Sequence, residues 1–369
     1  MNARGIQILS LVSVLLMAGC GSPMSHASPS KHGTTSKKTA THNNTRKSTV
    51  KKAGPKAGSK KGSSKGGGSA SSSSKKLTVI GYWANHKALP VTSLSASAHS
   101  LSYISPLLYS VTGTGSLTSK VDPALLSEIQ KLHVPILPLV SDATGNQAFL
   151  RSMATRKTAV QSIDHVISTM HFQGVDIDFE PPQTRLQADL TTFMVQLRDS
   201  LPSSDHIYLD IVPHSGGAYD YAKLAPEVTG FQLMSYDEHS QGTPSGPVAA
   251  LNWVSSVTKR LTKIVPPSKL VLGVALYGYE WPVGTTNAVT IPYYAITPSI
   301  KSKGTWNTRY QEMTAKIGGK VYWWENRKGI AQKIALAKKD HLGGIALWQV
   351  GYANKAIYQE LLKNTGKQS

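Results

Sequence analysis

The most informative segment of this 369-residue sequence is Gly174–Glu180, which reads GVDIDFE. Its acids, Asp176, Asp178 and Glu180, are spaced by two residues, and such residues point to the same face of a β-strand. The residues between them are apolar, so we expect the opposite face to pack against helices. Three carboxylates on one buried face repel one another and are costly to desolvate. The segment therefore favours a catalytic site over a metal site or a charge ladder without a catalytic role.

Short apolar runs occur on both sides of this segment and alternate with amphipathic stretches. The eight runs cover residues 77–83, 101–109, 134–140, 174–179, 207–212, 231–236, 270–276 and 344–350. Continuous apolar runs predict parallel strands that are buried on both faces. Eight strand–helix units between residues 77 and 369 fit a (β/α)8 TIM barrel of the α/β class. Because Pro181 and Pro182 end the fourth strand, Glu180 is predicted at its C-terminal mouth, where barrel enzymes hold their catalytic residues.

The segment 282–319 shows no clear alternation of strands and helices, and we predict a small α+β insertion there, after strand seven. An open, doubly wound sheet is the alternative fold. A sheet of that kind is expected to carry a glycine-rich phosphate-binding turn after its first strand. The residues that follow Trp83 are Ala84, Asn85 and His86, so the barrel is favoured.

The first 76 residues contain 14 of the 40 basic residues and none of the 20 acidic ones. Residues 1–20 combine a basic start, an apolar stretch shorter than the ~20 residues of a membrane span, and small residues before Cys20. This pattern predicts a lipoprotein signal peptide with Cys20 as the lipidated residue, a plain secretory signal being the alternative. Cys20 is the only cysteine, which excludes an intrachain disulfide and a cysteine-based metal site.

Residues 21–76 are rich in Ser, Lys, Gly and Thr and are predicted to form a disordered linker. The linker is interpreted either as a solvated spacer or as an electrostatic tether to an anionic envelope polymer or lipid headgroups. Nucleic acid is a poor partner, because the linker lacks interleaved aromatic residues. We expect a monomeric, extracytoplasmic protein that is anchored to the membrane at the cell surface or secreted.

The acidic segment resembles the Asp-Gly-x-Asp-x-Asp-x-Glu motif of glycoside hydrolase family 18, which includes chitinases and cell-wall or spore-cortex N-acetylglucosaminidases. Gly174, Asp176, Asp178 and Glu180 match it, and Gln173 replaces the leading aspartate. Since Gln173 lies at the start of the strand, we expect this departure to have a structural consequence rather than to abolish catalysis.

Other short segments resemble motifs of the same family in the same order along the chain. These are Gly81–Trp83 in strand one, Met234–Asp237 after strand six, Gly273–Tyr279 in strand seven and Gly343–Trp348 in strand eight. Each motif alone is short, but their order and spacing together support the resemblance over nearly all of residues 77–369.

The resemblance implies a retaining, substrate-assisted hydrolysis that needs no cofactor or metal. Glu180 would be the general acid and base, and Asp178 would accept a hydrogen bond from the acetamide N–H of the sugar. Asp176 would share a proton with Asp178, and Tyr236 would donate to the acetamide carbonyl oxygen. The expected substrate-binding residues are Trp348, Asp237, Met234, Tyr82, Tyr277 and Tyr279.

This mechanism requires a GlcNAc-containing polysaccharide, and the expected reaction is cleavage of its β-1,4 bonds. Peptidoglycan is favoured over chitin, because the predicted anchor and tether hold the chain at the envelope and because Tyr277–Trp281 resembles cell-wall and spore-cortex members. The alternative is a catalytically weak or inactive carbohydrate-binding envelope or spore protein on the same barrel. His86, His214 and His239 fall near strand ends but lack metal-binding spacing, so they are interpreted as polar cleft or loop residues.

Overall fold

The computed structural model describes residues 76–84, 92–180 and 182–365. The predicted signal peptide with Cys20, the linker apart from Lys76, and His86 lie outside these residues. None of the helices in the described ranges combines the length and the apolar character that crossing a bilayer requires.

Strands and short helices alternate along most of the described chain. The strands are β1 (Thr78–Trp83), β2 (Tyr103–Val111), β3 (Leu117–Ser119), β4 (Leu139–Asp142), β5 (Gly174–Asp178), β6 (His206–Ile211), β7 (Gly230–Leu233), β8 (Leu270–Ala275), β9 (Tyr277–Pro282), β10 (Val289–Pro292), β11 (Thr305–Asn307), β12 (Glu312–Ile317), β13 (Lys320–Trp324) and β14 (Gly344–Trp348). The α-helices are α1 (Thr92–Ala98), α2 (Pro123–Gln130), α3 (Met153–Met170), α4 (Gln187–Ser200), α5 (Tyr221–Leu224), α6 (Leu251–Leu261), α7 (Pro298–Ser302), α8 (Arg327–Lys339) and α9 (Lys355–Thr365).

Eight parallel strands form a closed ring in the order β1, β2, β4, β5, β6, β7, β8 and β14, and β14 pairs back onto β1. The short strand β3 lies outside the ring and pairs antiparallel with β2. Helices lie between the ring strands along the chain. The predicted (β/α)8 barrel is therefore confirmed, and the doubly wound sheet is wrong because the ring has no open edge.

The alternation within β5 sends its apolar residues outward and its acids into the barrel. Val175 and Ile177 are completely buried, and burial of one such side chain stabilises the fold by ~1.5–3 kcal/mol. Phe179 packs edge-on against Phe149 with ring centroids 5.1 Å apart. Asp176, which points the other way, is also completely buried, so its carboxyl lies inside the ring.

A separate cluster of buried side chains from several ring strands packs together. Its buried members are Ile80, Tyr82, Leu137, Leu139, Tyr208, Val271 and Ala346. A TIM barrel is a packed core rather than a pore, and this cluster supplies part of that core, with Leu139 and Tyr208 paired in register with Asp176.

The third ring strand starts later than its apolar run predicts. The run covers residues 134–140, whereas β4 begins at Leu139, and only an isolated bridge joins Ile136 to β2. Pro135 and Pro138 lack the backbone N–H that a ladder needs. The prolines therefore delay regular pairing without disturbing the order of the strands.

The insertion after the seventh ring strand is a five-stranded antiparallel sheet in the order β10, β9, β13, β12 and β11. It runs from Tyr277 to Trp324 and contains the short helix α7, and the predicted range 282–319 lies within it. A single residue, Leu276, separates β8 from β9. The insertion therefore begins directly at the C-terminal mouth of the barrel.

Buried charges join this sheet to the barrel. Lys333 of α8 forms an ion pair with Glu325, and both side chains are fully buried. Glu312 accepts hydrogen bonds from the backbone N–H groups of Val248 and Ala249, just before α6, at 2.8 and 2.5 Å. These contacts hold the insertion against the helical layer at defined points.

Candidate active site

The carboxyl ends of several ring strands bring the predicted site residues together. Asp178 ends β5, Glu180 follows two residues later, and Trp348 ends β14. Tyr236 and Asp237 lie in the segment that follows β7. Parallel strands of a closed ring end at the same face, so residues far apart in sequence meet at one mouth.

Glu180 and Asp178 lie together at this mouth, and each affects the pKa of the other. Burial, reinforced by the Asp178 charge, raises the pKa of Glu180 well above its ordinary value. Burial raises the pKa of Asp178 to about 6, whereas its interaction with Glu180 acts in the opposite direction. The interaction of the two carboxyls thus acts to raise the pKa of Glu180 and to lower that of Asp178. These opposite effects favour an acid at Glu180 with a carboxylate beside it.

Asp176 lies two residues before Asp178 on the same face of β5, further from the mouth of the barrel. Its Oδ2 accepts a hydrogen bond from the Ser105 hydroxyl at 2.7 Å, while its Oδ1 has no fixed donor among the described residues. Burial raises the pKa of Asp176 to about 7, and the nearby charge of Asp178 acts in the same direction. The group titrates together with its neighbours rather than alone.

A fourth carboxyl, Asp210 of β6, completes the cluster and is absent from the sequence prediction. It is 3% exposed and accepts a hydrogen bond from the Tyr82 hydroxyl at 2.5 Å. The expected sharing of a proton between Asp176 and Asp178 stays a prediction, with Asp210 as a further buried carboxyl whose pKa is raised by the nearby charges of both aspartates. A lone acid inside the apolar run 207–212 is the signal that could have revealed Asp210.

Aromatic rings line the mouth beside the carboxyls. The Trp348 ring lies 5.1 Å from that of Tyr82 and 6.5 Å from that of Tyr236, centroid to centroid. Trp348 stays half-buried, whereas Tyr82 is 1% exposed. Trp348 can thus present a face to a ligand, while Tyr82 supports the cluster from inside the barrel. Tyr219, also absent from the prediction, is buried near Glu180 and donates to the Asp210 carbonyl oxygen at 3.4 Å.

Asp237 is fixed by two tyrosines of the insertion. The hydroxyls of Tyr277 and Tyr279 donate to Asp237 Oδ1 at 2.5 and 2.8 Å. Asp237 adopts the left-handed backbone conformation at φ 61°, which an aspartate tolerates better than most residues. The structure thus places Tyr277 and Tyr279, two expected sugar contacts, as buried supports for Asp237.

The remaining predicted residues take more peripheral positions. Met234 is half-buried beside Tyr236 in sequence, His214 is exposed, and the His239 ring is hydrogen-bonded to the Pro244 carbonyl oxygen. Within the described ranges, no group of three or more histidine, cysteine or acidic side chains is arranged to hold a metal ion.

Gln173, where the motif has aspartate, lies at the opposite end of β5. Its Oε1 accepts the Ile136 N–H at 2.7 Å and its Nε2 donates to the His171 carbonyl oxygen at 2.9 Å. The first bond ties the start of β5 to the segment before β4, and the second joins it to the end of α3. A cavity of about 360 Å³ at this end is lined by Gln173 and His133 among others, and it is remote from the carboxyl cluster.

Comparison with known families places this arrangement in a defined class of protein. The sequence model of the glycosyl hydrolases family 18 matches residues 78–353, which includes all eight ring strands and every carboxyl of the cluster. The chain belongs to glycosyl hydrolases family 18.

The individual proteins that match this chain share less than 30% sequence identity with it. The chain is 27% identical over 212 residues to the uncharacterized glycosylase YvbX of Bacillus subtilis, an alignment that covers 53% of this chain and 62% of that one. It is 24% identical over 294 residues to the cortical fragment-lytic enzyme of Bacillus anthracis, covering 72% and 68%. The crystal structure of a chitinase from Chromobacterium violaceum superposes with a TM-score of 0.71 at 22% identity, covering 79% of this chain and 100% of that one. At that identity the superposition establishes a shared fold.

Proposed function

We propose that the chain hydrolyses β-1,4 glycosidic bonds of a GlcNAc-containing polysaccharide with retention of configuration. The observation that carries this proposal is the placement of Glu180 and Asp178, two carboxyls whose pKa values burial raises, at the mouth of a family 18 barrel. Ordinary retaining glycosidases use a carboxylate as nucleophile, whereas members of family 18 use the substrate's own acetamide.

The proposed reaction has two steps. The acetamide carbonyl oxygen of the bound sugar attacks the anomeric carbon, while Glu180 gives its proton to the departing glycosidic oxygen. Asp178 accepts the acetamide N–H and stabilises the positive charge of the oxazolinium ion. Glu180, now a carboxylate, takes a proton from water as that water attacks the anomeric carbon, which restores the acid and the acetamide.

The aromatic residues and Asp237 would position the sugar. Trp348, half-buried at the end of β14, would stack under the apolar face of the ring. Tyr236 would donate its hydroxyl to the acetamide carbonyl oxygen, and burial raises the pKa of Tyr236 well above its usual range, so the hydroxyl remains a donor. Holding the acetamide close to the anomeric carbon supplies much of the rate enhancement expected from an intramolecular nucleophile.

Peptidoglycan is our preferred substrate and chitin the second candidate. A relative named for cortex-fragment lysis supports the first, and a superposable chitinase supports the second. We propose to incubate the full chain separately with purified peptidoglycan and with chitin oligomers and to analyse the products by mass spectrometry. Muropeptides or glycan fragments that end in GlcNAc are expected, with the β-anomer formed first in NMR spectra. If neither polymer is cleaved, the alternative of a carbohydrate-binding envelope protein on the same barrel is favoured.

We also propose that the chain acts outside the cytoplasm as a monomer, anchored through a lipid on Cys20 and attracted to anionic envelope polymer by its basic linker. The support is the sequence pattern of residues 1–76. A clickable fatty-acid analogue fed to the producing cells should label the wild-type chain and leave the Cys20→Ser variant unlabelled. Equal labelling of the two chains would contradict the anchor.

A further inference from the structure

The exposed charges of the insertion and of the first turn of α8 are all of one sign. The sequence from Leu77 onward contains 26 basic and 20 acidic residues, of which seven basic and two acidic ones lie between residues 281 and 328. Both of these acids, Glu312 and Glu325, are fully buried. The remainder of the sequence from Leu77 onward is nearly balanced, with 19 basic and 18 acidic residues. The surface of segment 281–328 therefore carries cations and no carboxylate.

Most of the seven cations have no ion-pair partner. Lys320 pairs with Glu280, and Arg327 pairs with Glu360 of α9. Within the part of the chain that the structure describes, no ion pair is formed by the other five, which are Lys301, Lys303, Arg309, Lys316 and Lys328. Cations of one segment that lack counter-charges create a positive potential around it, and such a potential attracts anionic ligands.

Aromatic rings hold two of these cations in place. The Lys328 ammonium lies 4.3 Å from the centre of the Trp306 ring, and the Arg309 guanidinium lies 5.4 Å from the centre of the Tyr310 ring. Such a contact attracts the cation to the ring but leaves its positive charge without a counter-charge. A side chain that is already held in place loses less conformational freedom when an anion binds to it. Both cations are therefore well prepared to bind an anion.

Contacts between α8 and the turn after β11 bring the two cations to one surface. Asn307 Oδ1 accepts the Arg309 N–H at 3.0 Å, which fixes this turn. At the end of the turn, Gln311 Oε1 accepts a hydrogen bond from Gln332 Nε2 of α8 at 2.5 Å. Because Gln332 lies four residues after Lys328, the two side chains share one face of the helix. That face of α8 therefore lies along β11 and the turn that carries Arg309.

The sheet connects this surface to the mouth of the barrel. We call it the basic surface and define it as Trp306, Arg309, Tyr310 and Lys328. The Tyr310 ring lies 5.8 Å from the Trp323 ring, and Trp323 of β13 is paired with Tyr279 of β9, which donates to Asp237. Three strand spacings separate β11 from β9, which is a distance of ~15 Å. A polymer that is held at the mouth can span such a distance.

We propose that the basic surface binds the peptide carboxylates of a peptidoglycan strand whose glycan chain is held at the mouth. The inference rests on the proposed function, which brings a GlcNAc-containing polymer there, and it names the class of polymer. Peptidoglycan carries peptides with free carboxylates, whereas chitin carries no acidic group. Arginine and lysine bind carboxylates through charge-assisted hydrogen bonds. The basic surface thus distinguishes the acidic polymer from the neutral one.

A double substitution tests the surface without touching the catalytic residues. Arg309→Gln/Lys328→Gln removes both charges, and the control Lys259→Gln/Lys263→Gln removes two lysines at and just after the end of α6. All four side chains are exposed, so both variants should fold. On soluble peptidoglycan strands freed of other wall polymers, the first variant should raise KM about three- to tenfold and retain kcat, whereas the control should match the wild type. On an uncharged GlcNAc oligomer, the three chains should have equal KM values.

Chemical modification of the strands identifies the anionic group. Conversion of their carboxylates to methylamides should raise the KM of the wild type by a larger factor than that of Arg309→Gln/Lys328→Gln, because the variant has already lost the contact. The basic linker is common to both chains and affects them equally. Strands that retain a phosphate-bearing wall polymer form a separate arm. If only these strands distinguish the two chains, the partner is the phosphate polymer and the proposal is overturned. A variant that matches the control on phosphate-free strands would also overturn it.

Equilibrium binding separates this inference from the proposed function. In the Glu180→Gln background, which should not cleave the strands, the affinity for native strands should fall about three- to tenfold when Arg309 and Lys328 are replaced. If the wild-type chain cleaves no polymer but this loss of affinity is observed, the proposed function fails and the binding surface stands. If the wild-type chain cleaves peptidoglycan and the affinity is unchanged, the proposed function stands and the inference fails.

Discussion

Glu180 and Asp178 act as one titrating unit at the scale of single residues. Burial raises the pKa of both groups, and their interaction acts to raise the pKa of Glu180 and to lower that of Asp178. Separated pKa values in adjacent carboxyls are how one site holds an acid and a charged partner at the same pH. The site therefore has a defined pH range in which both roles are met.

The pH profile of kcat/KM should be a bell. On the acid side, activity falls as Asp178, with a pKa of about 6, and Asp176, with a pKa of about 7, take up protons, because a protonated Asp178 no longer offsets positive charge. On the alkaline side, activity falls as Glu180 loses the proton that it must donate. Initial rates on a chromogenic GlcNAc oligomer across pH 4–10 would test this, and a rate that stays flat down to pH 4 would contradict the assigned charges.

The negative charge of Asp237 should affect the pH at which kcat/KM falls on the alkaline side of the profile. Burial is the main cause of the raised pKa of Glu180, and the charge of Asp237 adds to it. Asp237→Asn removes that charge, yet asparagine tolerates the left-handed backbone and can accept the two tyrosine hydroxyls. The alkaline limb should therefore move to lower pH by less than about one unit. Tyr279→Phe, which keeps the charge, is the control, and a shift to higher pH in Asp237→Asn would refute the electrostatic link.

At the scale of elements, the close packing of β8 against the end of β7 holds the Tyr236 ring in place. A Cβ on Gly273 of β8 would come within 2.4 Å of the Leu233 carbonyl oxygen and 2.9 Å of the Tyr236 ring. We expect Gly273→Ala to lower the free energy of unfolding by about 1–3 kcal/mol and to displace Tyr236, lowering kcat as well. Denaturant unfolding and kinetics would measure both. Gly113→Ala is the matched control, since its nearest neighbour lies at 3.6 Å, and comparable losses in both variants would contradict the steric account.

The buried ion pair between Glu325, which directly follows the insertion, and Lys333 of α8 should stabilise the fold to an extent that depends on pH. Lys333→Met leaves Glu325 buried without its cation, and loss of one partner of a buried pair costs about 3–5 kcal/mol. Burial raises the pKa of Glu325 to about 8 even beside Lys333. The variant's loss of stability should therefore be smaller at pH 5, where Glu325 is protonated, than at pH 8. Urea unfolding at both pH values measures this, with the exposed Lys131 of the Lys131–Glu128 pair mutated to Met as control; equal losses in the two variants would argue against the ion pair.

The sequence predicts the ring strands well because a strand buried on both faces leaves an uninterrupted apolar run. It predicts Asp176, Asp178 and Glu180 because their two-residue spacing is visible without the fold. Asp210 has no such pattern, since its hydrogen-bond partner Tyr82 is distant in the chain and becomes its neighbour only when the ring closes. The supporting roles of Tyr277 and Tyr279 likewise depend on the left-handed turn at Asp237, which no local pattern specifies.

At the scale of the whole molecule, charge is divided unevenly along the chain. The first 76 residues hold 14 of the 40 basic residues and no acid, so the barrel sequence is far closer to neutral than the protein as a whole. Such a division suits a catalytic body beside a segment that is drawn to polyanions.

The linker proposal predicts salt-dependent adsorption of the full chain. Binding to purified anionic cell walls should weaken markedly between 0.01 and 0.5 M NaCl, because the screening length falls from ~30 Å to a few ångströms over that range. A variant with the lysines of residues 31–76 changed to glutamine should adsorb weakly at every salt concentration while cleaving soluble oligomers at the wild-type rate. Salt-independent adsorption of the wild-type chain would contradict an electrostatic tether.

The most direct test of the central claim is the rate of Glu180→Gln on the polymer that product analysis identifies. Glutamine preserves size and polarity but cannot give up a proton as the carboxylic acid does, so kcat should fall by about 10²–10⁴-fold, while equilibrium binding of a GlcNAc oligomer is retained. Glu128→Gln, an exposed glutamate on α2, should behave as wild type. A Glu180→Gln chain that turns over at the wild-type rate would show that Glu180 is not the acid.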